Sequence, residues 1–279
     1  MTDTRTITVN NSPVVRTTSY QYDNAGRLSL LIYPNGRRLS YTRDSMGRTT
    51  QIDTTKDGIA STLLSQVSYR PFGGVQGYLN STGQAYTRGF DLDGRITSYT
   101  LNNQVQAISY DAANRIISIN QVNSTTRQAT YGYDTLDRLT SYLTPQASQS
   151  FTYDPVGNRN TQTVGAAATT YSYGTSSNRL TQVAGSQTSP IAMDANGSTT
   201  NNGTAQFTYD TRGRMITATT AAGVVQYQIN ALGQRVQKSS PAASTQYHYD
   251  QSGKLLSESS GGNDVDYVYL DDIPVVVLK

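Results

Sequence analysis

The sequence predicts an all-β protein built from tandem hairpins, and three observations carry that expectation. A phrase of the form aromatic-x-Tyr-Asp, then two residues, Gly and Arg, returns along the 279-residue chain at intervals of about 20 residues. After each return the apolar residues alternate, as in Leu28, Leu30 and Ile32, which is the period of a strand. The chain also carries 21 tyrosines with four phenylalanines and no tryptophan. Tyrosine supplies a wide ring with a hydroxyl at its tip, suited to surfaces that stay half wet.

The first full unit is YQYDNAGRL, residues 20–28. Tyr20 and Tyr22 are two apart, so in a strand they point to one face. Asp23 is a good opening residue for a type I turn, because its carboxylate can accept from backbone N–H groups two residues on. Gly26 stands where the turn and its bulge need positive φ, and Asn114 and Asp137 replace it in two later units. Arg27 then begins the returning strand. The same roles fall to Tyr133 and Asp134, to Tyr153, Asp154 and Gly157, to Tyr209, Asp210, Gly213 and Arg214, and to Tyr249, Asp250 and Gly253.

The aspartates rule the chain into units: Asp23, Asp44, Asp91, Asp111, Asp134, Asp154, Asp194, Asp210 and Asp250, with Gly174 and Asn230 in the same slot elsewhere. The interval from Asp44 to Asp91 holds about two periods, with a divergent unit around SYRPFGG at 68–74, and the interval from Asp194 to Asp210 is short by about four residues. YVYLDDIP at 267–274 opens one more unit. Residues 1–279 thus read as one repeat domain of about 12–13 hairpins, with 1–17 as a lead-in strand or tail. Units of this size cannot bury a face alone and must stack edge to edge. About 24 strands at ~4.8 Å would make a sheet on the order of 115 Å wide. A sheet that wide should curl, split or close. The expectation is one continuous curved antiparallel sheet, a spiral shell or barrel-like wall one layer thick.

Composition excludes several classes. The net charge is +3, and the basic residues are spread along the chain, so nucleic acid is not an expected partner. With no cysteine there is no disulfide framework and no thiolate metal site. MTDTRTITVN lacks an apolar core of the kind a secretory signal needs. The longest apolar run, IPVVVL at 273–278, is strand-sized and far from a membrane helix. No cofactor motif is present, so none is expected.

Seven units keep an aromatic residue directly before the slot's Asp: Tyr22, Phe90, Tyr110, Tyr133, Tyr153, Tyr209 and Tyr249. This pattern, in register from about residue 20 to 274, resembles the YD repeats of the Rhs family. That family includes bacterial polymorphic toxins, the C components of insecticidal toxin complexes, and animal teneurins. The resemblance implies a large β-sheet spiralling into a hollow shell, which in the bacterial toxins encloses a C-terminal toxin domain until delivery. It further implies residence in the bacterial cytoplasm before export by a dedicated secretion system, and extracellular use. The chain departs from the family by stopping at Lys279 without the Asp-Pro autoproteolytic motif or a toxin, so no protease role is carried over to its aspartates. The partners implied are a toxin cargo domain or the remainder of the shell.

Other readings weigh less. His248 is the only histidine, so a Ser-His-Asp triad would have to centre on it; a plain strand position is the simpler expectation. Asp264, Asp266, Asp271 and Asp272 could suggest an oxygen-ligand cation site, but they lack the spacing of a Ca²⁺ loop and read as turn residues. Arg27, Arg95 and Arg214 could grip an anionic partner; pairing with an Asp across a hairpin end is the expected use. Tyrosine ladders could stack sugar rings, which makes a carbohydrate or cell-surface module the alternative to a scaffold. Exposed end strands could also pair with a second copy.

The turn assignment has a direct test. Gly26→Val or Gly213→Val should lower stability by about 1–3 kcal/mol, because a β-branched residue strongly resists positive φ. Thermal unfolding reads the effect, and unchanged melting of both variants would remove the turn.

Overall fold

In a computed structural model, which describes residues 1–9, 12–71, 73–186 and 188–279, every regular element is a β-strand. For residues 5–9 and 12–13 only the backbone is described, and Phe72 of the divergent SYRPFGG unit lies outside the described residues. The described strands number 28, from β1 (Thr2–Val9) to β28 (Ile273–Leu278). The expected lead-in forms a strand, β1, paired antiparallel with β2 (Ser12–Tyr22).

Hairpins closed by the repeat turn carry a shared irregularity, and it falls on the motif. In β2 and β3 (Leu28–Ile32), Tyr20 faces Leu31 and Gln21 faces Leu30, but Tyr22 faces Leu28, a one-residue shift. The shift recurs at Tyr110, Tyr133, Tyr153, Tyr173 and Tyr249. A bulge at this place lets a turn with one left-handed residue join two twisted strands.

Strands pair antiparallel with their neighbours in sequence, as expected, in sheets of 18 and 10 strands that meet at the single residue Ile191. Between β18 (Thr188–Pro190) and β19 (Ala192–Met193) lies only Ile191, whose N–H donates to the Thr181 carbonyl of β17 (Leu180–Ala184) at 2.8 Å and carries the ladder on. The unit that follows is the one shortened by about four residues, so β19, β20 (Thr199–Asn201) and β21 (Gln206–Tyr209) are two, three and four residues long.

The chain forms two compact units, Met1–Ala85 with Tyr209–Lys279, and Tyr86–Thr208. In the first, the expected single layer gives way to two. Leu31, Tyr33, Leu39, Ile52, Leu64 and Val75 from its N-terminal strands share one core with Leu256, Val268 and Leu270 from its C-terminal strands. The cause is visible in composition: this unit holds the denser apolar runs LSLLIY (28–33) and IPVVVL (273–278), and two such faces gain by covering each other. In the second unit no described side chain is fully buried. Its strands alternate a tyrosine-bearing face, where Tyr131 lies opposite Tyr142 with ring centroids 5.5 Å apart, with a face of hydroxyl pairs such as Thr152 and Thr161 at 2.7 Å.

One polar cluster crosses the core of the first unit. Asp266, with no exposed surface, accepts from Arg37 Nε at 2.7 Å and Asn35 Nδ2 at 2.8 Å on the same oxygen. Beside it the Tyr33 hydroxyl, its pKa pushed up by burial, donates to the Tyr267 carbonyl at 2.7 Å. This corrects the turn reading of Asp264 and Asp266: both lie within strand β27 (Asn263–Leu270), and the second is a buried ion-pair partner. Asp271 and Asp272 occupy the turn between β27 and β28, as expected.

Arg37→Ala leaves a buried carboxylate without its cation and should destabilise the first unit by roughly 3–5 kcal/mol. Arg37→Met with Asp266→Leu should recover much of the loss. Urea unfolding of the three proteins checks the order, and a double variant as weak as the single one would mean the pair does more than neutralise itself.

Candidate functional site

The repeated turn is the one site that the chain builds many times, and its atoms can be followed at Asp134. The Asp134 N–H donates to the Arg138 carbonyl at 3.0 Å and the Asp137 N–H to the Asp134 carbonyl at 3.1 Å. Carboxylate Oδ1 accepts from the N–H groups of Leu136 and Arg138 at 2.9 and 3.0 Å; Oδ2 accepts from Arg138 Nε at 2.7 Å. Asp137 holds φ at 62°, in the slot Gly26 and Gly213 fill at 75° and 74°. At those glycines a Cβ would meet no atom within 4 Å, so backbone conformation alone selects the residue.

The arginine then reaches past its own hairpin. Arg138 Cζ stands 4.7 Å from the centre of the Tyr153 ring in the next unit, and its Nη1 donates to the Asp154 carbonyl at 3.0 Å. In return the Tyr153 hydroxyl donates to the Leu139 carbonyl at 2.7 Å. One guanidinium is thus held by its own turn's carboxylate, the next hairpin's ring and the next turn's backbone. Arg95 with Tyr110 and Arg115 with Tyr133 repeat the arrangement at 4.8 and 5.0 Å. Their hydroxyls donate to the carbonyls of Ile96 and Ile116. Even the divergent SYRPFGG unit conforms: Arg48 lies over Tyr69 at 5.0 Å, and Tyr69 donates to the Thr49 carbonyl.

Substitutions along the series keep the connection by other means. Arg43 replaces the aromatic residue before Asp44 and donates through Nη2 to the Leu28 carbonyl at 2.9 Å. Lys254 takes the arginine's place after Asp250, with Nζ 5.5 Å from the Tyr269 ring centre and 2.7 Å from both the Asp271 carbonyl and Asp272 Oδ1.

The other motif residues named from sequence fall into these roles. Arg27 pairs with Asp23 and Arg214 with Asp210, each at 2.7 Å, and Arg214 Nη1 donates to the Asn230 carbonyl of the next turn. Gly157 and Gly253 have φ of 94° and 92°. Tyr249 donates to the Arg235 carbonyl at 2.9 Å, and Asp250 accepts from the Lys254 N–H at 2.8 Å. Tyr209 ends β21 directly before the Asp210 turn. Tyr22 is 45 % exposed. Asp154 keeps its turn but is followed by Asn158 instead of arginine. What the sequence reading missed is the direction of the arginine's second contact, toward the following tyrosine, and the whole cluster of Tyr33, Arg37 and Asp266. The signal for that cluster was faint: a second turn of the same type, YPNGR at 33–37, out of step with the repeat.

The electrostatics follow from the turn. The Arg138 N–H, helped by its guanidinium, holds the Asp134 carboxyl below the usual carboxylate range against the opposing effect of desolvation. Asp23, Asp44, Asp111 and Asp210 are lowered in the same way. His248 is buried. Among the described residues no group of three or more His, Cys, Asp or Glu could hold a metal.

The model of the family described as Teneurin YD-shell matches residues 78–240. Among solved structures, a crystal structure of TcdB2-TccC3 superposes with a TM-score of 0.79 at 15% identity, covering 96% of this chain and 17% of that one. The Tc holotoxin pore of Photorhabdus luminescens gives 0.79 at 15% identity, covering 96% and 16%. A TcdB2-TccC3-Cdc42 structure gives 0.77 at 15%, covering 96% and 17%. At this identity the likeness is one of fold, and the chain spans about a sixth of those structures' length. No curated protein matches the chain by sequence.

Two measurements probe the turn and its link. Tyr153→Phe removes a half-buried donor to the Leu139 carbonyl, at a cost of about 1 kcal/mol in urea unfolding. The aspartates are depressed in the folded chain, so the stability they contribute is present above the unfolded value near 3.8 and is lost as pH falls through the folded value. Unfolding midpoints should therefore drop as pH falls below about 4, and Asp134→Asn should make that drop shallower. An unchanged slope would detach the carboxylate from stability.

Proposed function

The chain belongs to the YD-shell family of Rhs-type repeat proteins, and on that premise we propose that residues 1–279 act as one repeat domain, a non-catalytic stretch of shell wall. In a longer protein or assembly it encloses or presents a cargo domain, as a C component does in a toxin complex. The observation that carries this reading is the link from Arg48, Arg95, Arg115 and Arg138 to the next hairpin's tyrosine. It ties neighbours in one dimension, as a wall of stacked repeats requires. Cargo, the rest of the shell and a second copy at the end strands are the partners this role implies, with export and extracellular use following from it.

The carbohydrate alternative has less support. Stacking on a sugar needs a free ring face and hydroxyl, whereas Tyr110, Tyr133 and Tyr153 each give a face to a guanidinium and a hydroxyl to a carbonyl.

Small-angle scattering with molar mass from light scattering tests the wall. A curved or hollow particle, with a radius of gyration above that of a compact globule of its mass, is expected. A compact particle of ordinary radius would end the enclosure reading. Glycan-array binding lost on Tyr133→Ala would move the function to surface recognition.

A further inference from the structure

Among the aspartate turns, Asp154 and Asp194 are followed by Asn158 and Ser198 where others carry arginine, and the gap at Asn158 has a definite chemistry. In the turn Asp154–Asn158, asparagine stands where Arg95, Arg115 and Arg138 stand in theirs. Asn158 makes reduced versions of two of the arginine's contacts with one nitrogen: Nδ2 donates to Asp154 Oδ2 at 2.8 Å and to Asn178 Oδ1 of the next turn at 3.1 Å. Its short side chain ends there. The next aromatic residue, Tyr173, is held as its counterparts are, its hydroxyl donating to the Arg159 carbonyl at 2.9 Å. The neighbouring Arg159 sits instead over Tyr171, at 4.3 Å. The following turn is altered as well: Gly174 replaces aspartate, and its N–H closes on Arg179, one residue further than usual.

Where the guanidinium would lie, the structure has an open cleft of about 460 Å³, lined by Asp154, Asn158, Tyr173, Gly174 and Asn178 among others. Two of the three elements that hold a guanidinium elsewhere are in place, a carboxylate and a tyrosine ring fixed by its hydroxyl. Among the described residues no basic side chain pairs with the Asp154 carboxylate.

We propose that this cleft is a receptor for a guanidinium group supplied from outside the fold, the arginine side chain of a partner protein. The other turns define the pose. The guanidinium lies against the Tyr173 ring, with one N–H edge on Asp154 Oδ2 and another toward the backbone of the 174–179 turn. The carboxylate accepts bidentate donors, the ring accepts the flat cation, and lysine fits this planar arrangement less well.

The experiment uses the whole chain with L-argininamide as probe, read by the ring resonances of labelled tyrosine, with Tyr173 assigned through Tyr173→Phe. Saturable shifts at Tyr173 are expected, with L-lysinamide binding more weakly. Asn158→Arg restores the internal link and should weaken binding by at least about tenfold, equivalent to ~1.4 kcal/mol. That variant introduces the residue the other turns already accommodate, so it should fold. Arg138→Asn should open a second cleft between Asp134 and Tyr153 and add saturable shifts at Tyr153. The proposal is overturned if Asn158→Arg binds as the unaltered chain does, or if the Tyr173 resonances do not move at millimolar probe.

Discussion

The structure depends on a guanidinium held between two hairpins. Arg48, Arg95, Arg115 and Arg138 each answer to their own turn through the aspartate and to the following hairpin through a tyrosine ring, while the tyrosine hydroxyl returns a hydrogen bond to the arginine's own strand. None of these contacts is strong alone. A half-exposed cation–π contact contributes about 0.5–1 kcal/mol and a hydroxyl–carbonyl bond about 1 kcal/mol. Their value lies in repetition and in geometry, since every link fixes the spacing and register of the next hairpin. This also accounts for tyrosine with no tryptophan: the position needs a flat ring and a hydroxyl that reaches a carbonyl across one strand, and an indole N–H leaves the ring elsewhere.

The two compact units meet the problem of stability differently. Met1–Ala85 with Tyr209–Lys279 has a buried core, crossed by Arg37 and Asp266. Tyr86–Thr208 has no fully buried described side chain, so lateral links and cross-strand pairs must supply what a core supplies elsewhere. Here the arginine links run in succession from Arg95 through Arg115 to Arg138. They stop at Asn158, and the next turn is longer by a residue.

Hairpin class, turn position and the glycine slot were legible because they are local. Asp23 and Gly26 are set by bonds within five residues, and Asn114 and Asp137 could be read into the glycine slot because few other residues accept positive φ. The arginine's ring contact was not legible, because its spacing varies with loop length: 15 residues from Arg95 to Tyr110 but 18 from Arg115 to Tyr133. Nor was the double-layered core. Asp266 stands in YVYL-like surroundings where a carboxylate reads as a turn or solvent residue, and only a partner 229 positions away explains its burial. Sequence period fixes what lies along a strand; which sheet covers which depends on contacts that no period encodes.

A domain stabilised by a central core must enlarge that core to grow, and its buried fraction is tied to its size. Links between nearest neighbours carry no such limit. A unit added beside Tyr133 needs only a turn aspartate, an arginine and a ring to accept its neighbour's arginine, and it asks nothing of residues two hairpins away. A wall built this way can be extended without becoming thicker, which is what enclosing a volume requires. The same independence lets single links be edited. Arg43 and Lys254 show the connection kept with different atoms, and Asn158 shows it left open. An open link costs the array one neighbour contact while exposing a carboxylate and a ring already set in place. Loss of a structural bond and gain of a recognition surface are then the same substitution.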